Sequence, residues 1–253
     1  MHAVVLAAGD GGRLQPLTSN LPKPLLHVRG RPMINHVLDA LFAAGITDAT
    51  IVVGYRGEQI RTALANVHPC GMTLTFVENE AYDLHNARSL WVAAATVGRL
   101  PGFVLAMADH LVEAALVREV LDARSDICAL AVERASRNDA RADEATLALM
   151  RDGRVVDLGK GIADWNALDT GVFWCTPRVF ELMTPEMRDG ECGAVFATLA
   201  RQGELAAIDV TGRRWIDVDT DVDLSAAEVM LGRSTRRRIA PILPFEDAVA
   251  GLA

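Results

Sequence analysis

Along the first half of the chain, short apolar runs alternate with stretches whose apolar residues recur at helical spacing. Ala3 to Ala8 is an unbroken apolar run, the kind that is buried on both faces in a parallel sheet. Thr50 to Gly54, Thr73 to Val77 and Phe103 to Ala108 continue the series of strands, and Leu25 to Val28 is a shorter apolar stretch. Between them, Met33, Ile34, Val37, Leu38, Leu41 and Phe42 form a helical stripe over 33–44. Pro32 is placed to open that helix and Gly45 to close it. Glu58 to Val67 and Ala87 to Val97 read as the next helices, the second with Leu90, Trp91, Ala94 and Ala95 on one side. Strand–helix–strand alternation predicts an α/β fold: a mostly parallel sheet, helices on both faces, right-handed crossovers.

The second half changes character. Ile127 to Glu133, Thr146 to Met150, Val155 to Leu158 and Leu168 to Trp174 are strands joined by short turns, with Asp152-Gly153 a hairpin signal. Helices follow at Pro177 to Leu182 and Cys192 to Gln202, then strands at Leu205 to Val210 and Trp215 to Val218. Asp221 to Leu231 closes the pattern as a helix that Thr220 can cap. The expectation is one α/β core over residues 1–232 with a small β-rich substrate lobe woven into it. Residues 233–253 begin Arg-Ser-Thr-Arg-Arg-Arg, fall outside the pattern, and read as a solvated arm or linker.

Composition narrows the classes. A chain of 253 residues with 51% hydrophobic and 23% charged residues can bury a sizeable core. A net charge of −8 argues against nucleic acid as a partner. No basic-then-apolar leader opens the sequence, and no apolar run is long enough to span a bilayer. The four cysteines, Cys70, Cys128, Cys175 and Cys192, form no metal-type pair and read as reduced core thiols of a cytoplasmic protein.

Candidate chemistry starts at Gly9-Asp10-Gly11-Gly12-Arg13, directly after the first strand. Glycines let phosphates reach the backbone N–H groups, and Arg13 and the proline-flanked Lys23 add positive charge. A dinucleotide-binding loop would need a helix at once and an acid about 20 residues on. Here Pro16, Pro22 and Pro24 follow, and no Gly-Lys-Ser/Thr completes a P-loop. The plain alternative is a glycine turn without a ligand. Asp109, at the carboxyl end of a buried strand, is a natural Mg²⁺ ligand on the same rim as the loop.

Leu6-Ala7-Ala8-Gly9-x-Gly11-x-Arg13-Leu14-x-Pro16-Leu17-Thr18, followed by Pro22-Lys23-Pro24-Leu25, resembles the signature of the sugar-phosphate nucleotidyltransferases. The resemblance implies a Rossmann-like sheet of the nucleotide-diphospho-sugar transferase type, reaching to about residue 231. It implies nucleoside triphosphate contacts at Leu6, Ala8, Gly9, Gly11, Gly12, Asn79, Asn86 and Ser89, with Arg13 and Lys23 as the catalytic cations. It implies Mg²⁺ at Asp109 and at Asp217 of Trp215-Ile216-Asp217-Val218-Asp219-Thr220. Asp219, expected on the same side of that strand, either shares the metal or caps the following helix, the cap being favoured. Lys160 is implied at the acceptor's phosphate, with His110, Asp169 and Thr170 at the acceptor. In that chemistry an acceptor phosphate oxygen attacks the α-phosphorus and pyrophosphate leaves. No general base is needed, so His110 and His85 are not assigned as bases.

Within the family, Asn86-x-x-Ser89-Leu90, Asp109-His110, Gly159-Lys160 and Asp169-Thr170-Gly171 are most similar to the inositol-1-phosphate cytidylyltransferase branch. Ala87 and Arg88 depart from that pattern near the base. A CTP-dependent enzyme making CDP-inositol is the leading reading. The same chemistry on a hexose-1-phosphate, phosphocholine or a phosphonate is the runner-up, although only Trp165 and Trp174 are near enough in sequence for a choline cage. A non-catalytic nucleotide sensor comes third, since Lys23 and the metal aspartates are all kept. Nothing resembling a membrane transferase follows residue 231, so a CDP-alcohol transferase would be a separate chain. A homodimer is left open.

Overall fold

The computed structural model describes residues 1–66 and 71–232. In chain order the elements are β1 (His2–Ala7), β2 (His27–Val28), β3 (Arg31–Pro32), α1 (Met33–Ala43), β4 (Asp48–Val53), α2 (Gly57–Asn66), β5 (Thr73–Glu78), α3 (Ala87–Val97) and β6 (Phe103–Met107). They continue with β7 (His110–Val112), α4 (Ala114–Asp122), β8 (Cys128–Arg134), β9 (Leu147–Arg151), β10 (Arg154–Gly159) and β11 (Ala167–Cys175). The last are α5 (Arg178–Glu181), α6 (Pro185–Arg188), α7 (Cys192–Arg201), β12 (Leu205–Asp209), β13 (Trp215–Asp217) and α8 (Asp221–Gly232).

The main sheet among the described residues has nine strands in the order β5-β4-β1-β6-β11-β8-β12-β10-β9. β5, β4, β1 and β6 run parallel, as the strand–helix alternation predicts. Alternate residues of β1 enter separate cores, Ala3, Val5 and Ala7 on one and Val4 and Leu6 on the other, where Ala8 just past the strand joins them. Leu38, Ile60 and Val117 of α1, α2 and α4 cover the first face; Leu90 and Val195 of α3 and α7 cover the second. Both faces are therefore dry, which is why β1 reads as a continuous apolar run.

β11 joins the two halves. Its C-terminal part pairs antiparallel with β6 from Val172 to Cys175, and its first residues, Ala167 and Leu168, pair with β9. β8 flanks it along both parts. Strands β11, β8, β12, β10 and β9 thus close into a small ring, the expected β-rich lobe. Asp152 and Gly153, both at positive φ, make the β9–β10 hairpin turn.

Four elements were not expected, β3, β7, α4 and α6. α4 carries a helical stripe of buried Leu116, Val117, Val120 and Leu121. The expected end of α2 at Val67, Cys70, and the arm at 233–253 lie outside the described residues. No helix among the described residues is long and apolar enough to cross a membrane.

Candidate active site

The glycine loop leaves β1 at the middle of the sheet and runs into one 3₁₀ turn, Gly12–Leu14, not a helix. Gly11 has φ +67, and a Cβ there would lie 2.8 Å from the Lys23 Cβ and 3.0 Å from the Thr18 Cγ2. Only glycine allows both the backbone angle and the approach of Lys23. Thr18 Oγ1 donates to the Gly11 carbonyl at 2.9 Å, and the Gly12 N–H donates to Asp10 Oδ1, so the loop is braced from both sides. A second 3₁₀ turn, Lys23–Leu25 with Pro24 inside it, fixes the lysine. The loop, Lys23, Asp109 and Asp219 line a cavity of about 470 Å³.

Lys23 Nζ donates to Asp109 Oδ2 and to Asp219 Oδ1, each at 2.7 Å. Arg13 Nη2 lies 2.6 Å from Asp219 Oδ2. Burial disfavours the charge on Lys23, but Asp109 and Asp219 outweigh it and hold its pKa above the ordinary value. Asp109 is likewise desolvated, yet Lys23 and His110 hold it well below the usual carboxylate range. Two cations and two carboxylates thus neutralise one another on the loop's rim.

This arrangement corrects the expected helix cap. The Asp219 side chain faces Lys23 and Arg13. The cap is made by Thr220, whose Oγ1 accepts from the Asp223 N–H, while Asp223 Oδ2 accepts from the Thr220 N–H at 2.8 Å. β13 ends at Asp217, so the period-two rule that paired Asp217 with Asp219 stops applying there.

Asp217 turns to the histidine. His110 Nδ1 is 3.1 Å from Asp109 Oδ1 and 3.6 Å from Asp217 Oδ1. Burial lowers the His110 pKa, but the charge of Asp217 and the bond to Asp109 outweigh it and lift it to about 9. Burial pushes Asp217 up to about 6. Asp217 Oδ1 is buried without a hydrogen-bond partner, and one donor atom each from Asp109, His110 and Asp217 lies within 4.8 Å of the others. An orphaned carboxylate oxygen beside a second carboxylate is the donor chemistry of a divalent cation site, so the residues fit one.

A bulge in β11 completes this side. Its pairing with β8 breaks between Asp169 and Phe173, around Gly171 at φ +74. A Cβ on Gly171 would lie 2.3 Å from His110 Cδ2, so the glycine makes room for the imidazole. The Gly171 N–H donates to Asp169 Oδ1 at 2.7 Å, yet burial still pushes Asp169 up to about 6. Trp215 stacks on His110, Arg141 packs over the Trp215 ring, and Glu133 accepts from Trp215 Nε1 and Arg141. Glu133 and Arg141 had no sequence signal, because the loop bearing Arg141 shows no periodicity that ties it to Trp215.

Lys160 lies elsewhere, in a hollow of about 370 Å³ that it lines with Thr146, Glu191, Gly193, Thr198 and Arg201. The Asp169 N–H donates to the Thr146 carbonyl at 2.9 Å, so this hollow adjoins the bulge. Thr170, expected at the acceptor, is instead fully buried and spends its hydroxyl on the Ala131 carbonyl. Leu6 lines the glycine cavity; Ala8 does not. Asn79 and Ser89, expected at the nucleotide, are instead buried and bonded to each other at 3.0 Å, bracing the segment between β5 and α3 from inside. Asn86 turns its side-chain carbonyl to the Cys192 N–H at 2.7 Å, away from the glycine cavity. Trp174 is a core residue whose Nε1 donates to the Ser125 carbonyl, so it forms no cage. Cys128, Cys175 and Cys192 are free, buried thiols whose pKa values burial raises, as expected of core cysteines.

Residues 2–144, more than half of the chain, match the family model described as nucleotidyl transferase. The chain is 33% identical to the bifunctional IPC transferase and DIPP synthase of Rubrobacter xylanophilus, over 90% of this chain and 51% of that protein. It spans about half the length of that relative and of its namesake from Aquifex aeolicus. It is 28% identical to the mannose-1-phosphate guanyltransferase of Kluyveromyces lactis, over 100% of this chain and 71% of the relative. The inositol-1-phosphate CTP transferase structure from T. maritima superposes with a TM-score of 0.80 at 26% identity, covering 91% of this chain and 94% of that one.

Proposed function

This chain belongs to the nucleotidyl transferase family, and we propose that it transfers CMP from CTP to inositol-1-phosphate, forming CDP-inositol and pyrophosphate. The observation that carries the reading is the meeting of Lys23 with Asp109 and Asp219 beside a braced glycine loop. The glycine loop from Gly9 to Gly12 receives the triphosphate, and Leu6, with the segment held by Asn79 and Ser89, receives the base. Arg13 and Lys23 balance the charge that develops as the acceptor's phosphate oxygen bonds to the α-phosphorus and the bond to the β-phosphate breaks. Asp109 and Asp217, with Asp219 alongside, would hold Mg²⁺, which supplies further charge neutralisation when bound. Lys160 binds the acceptor's phosphate, and Asp169 and His110 face its hydroxyls.

The likeness to the T. maritima protein supports CTP and inositol phosphate. So does a hollow in which Thr146, Thr198, Glu191, Lys160 and Arg201 stand beside the apolar Leu158 and Met187. The reading takes the protein to act in the cytoplasm and to make a product of the kind that a CDP-alcohol transferase consumes.

The test is pyrophosphate release with Mg²⁺ and each of four nucleoside triphosphates, crossed with inositol-1-phosphate, glucose-1-phosphate, mannose-1-phosphate and phosphocholine. Release only with GTP and mannose-1-phosphate, or only with UTP or dTTP and glucose-1-phosphate, would overturn the assignment. Lys23→Ala is expected to cut turnover by about a hundredfold or more. It also leaves Asp109 and Asp219 without their shared cation, a loss on the order of 3 kcal/mol of stability. Adding Asp219→Asn should restore much of the stability, read by urea unfolding, and none of the turnover.

A further inference from the structure

Asn86 sits just before α3, in the segment that the proposed function gives to the base. Its contacts run to the other side of the site. Cys192 is the first residue of α7, and the first N–H groups of a helix have no partner within it. Glu191, at the N-cap, makes no side-chain cap. Asn86 Oδ1 accepts from the Cys192 N–H at 2.7 Å, and the Asn86 carbonyl accepts from Cys192 Sγ at 3.3 Å. Asn86 therefore caps α7 from 106 positions away in sequence.

Neighbouring contacts close the same seam. The Ala87 N–H donates to the Gly190 carbonyl at 3.1 Å, Arg88 Nη1 is 3.2 Å from Asp189 Oδ1, and the Arg188 guanidinium lies 3.5 Å from the centre of the Trp91 ring. The start of α3 is thus zipped to residues 188–192. Gly193, Thr198 and Arg201 of α7 line the hollow that also holds Lys160. On the inner side, Ser89 of α3 is bonded to Asn79.

We infer that Asn86 is a positioning residue for the acceptor: it fixes the start of α7, and with it the wall of the acceptor hollow, and does not read the base. The base segment and the acceptor wall then move as one body, so specificity for the second substrate is set partly from the nucleotide side. This rests on reading the Lys160 hollow as the acceptor subsite.

Asn86→Leu removes the cap, and Asn86→Asp keeps the accepting oxygen while removing the amide N–H₂. In Asn86→Leu, the amides of Cys192 to Ala194 should exchange with solvent about fivefold faster, and the acceptor KM should rise about five- to tenfold, the scale of a lost cap. The triphosphate KM should stay within twofold. In Asn86→Asp, the Cys192 amide should stay protected and the triphosphate KM should again stay within twofold. A base-reading amide predicts the opposite, a rise in triphosphate KM in both variants, and that result would overturn the inference. Unchanged amide exchange in Asn86→Leu would do so as well. If Asn86→Leu does not fold, the Asn86→Asp result decides alone. Amide exchange is read without substrate, and the KM split with whichever acceptor turns over, so a different acceptor would correct the proposed function without touching this inference.

Discussion

Asp169 shows how one buried carboxyl links the site to stability. Burial raises its pKa to about 6, against the pull of the Gly171 N–H. A folded-state pKa above the unfolded value of 3.8 means that the folded chain holds an extra proton between those two pH values. Stability therefore falls as pH rises through that window, and the full penalty is present at pH 8. Asp169→Asn keeps an oxygen for Gly171 and removes the charge. It should stabilise the protein by on the order of 2 kcal/mol near pH 8 and by almost nothing near pH 4, read from urea midpoints at the two pH values. An equal gain at both would show that the buried charge is not the cause. Asp169 was visible in the sequence as a candidate. Its neighbour Thr170 was not separable from it, because burial distinguishes the two and a motif does not.

At the scale of the element, the bulge in β11 is the decisive irregularity. Gly171→Ala would place a methyl group against the His110 ring and force a left-handed angle on a residue with a side chain. The angle alone costs about 1 kcal/mol, and the collision should take the total to about 2 kcal/mol or more. The thermal unfolding midpoint of Gly171→Ala against the parent reads the cost, and an unchanged midpoint would show that the bulge accepts a side chain. The capping box Thr220–Asp223 belongs to the same scale. Its Thr-x-x-Asp spacing was legible, and the freedom it leaves to Asp219 follows from it. α4 has a sequence signal too, the stripe Leu116, Val117, Val120 and Leu121.

For the molecule as a whole, β11 belongs both to the parallel sheet and to the closed ring. Losing it would open the ring and leave the outer edge of β6 unpaired. Urea unfolding followed by far-UV circular dichroism and by tryptophan fluorescence should therefore give coincident transitions. Trp174, buried in the first core, and Trp91, packed against the second, report on different regions. Two separated transitions would mean that the lobe folds independently of the sheet.

The sequence by itself determined the parallel core, the glycine loop and the reaction family. Those depend on local rules: apolar runs, helical spacing, glycine freedom and proline punctuation. Only the tertiary structure decided which charges meet. Lys23 finds Asp109 and Asp219 across 86 and 196 positions, Asn86 finds Cys192 across 106, and Arg141 finds Trp215 through a loop of no fixed period. Partners so distant are chosen by how the sheet orders its strands, and strand order is a property of the packed chain, not of any window along it.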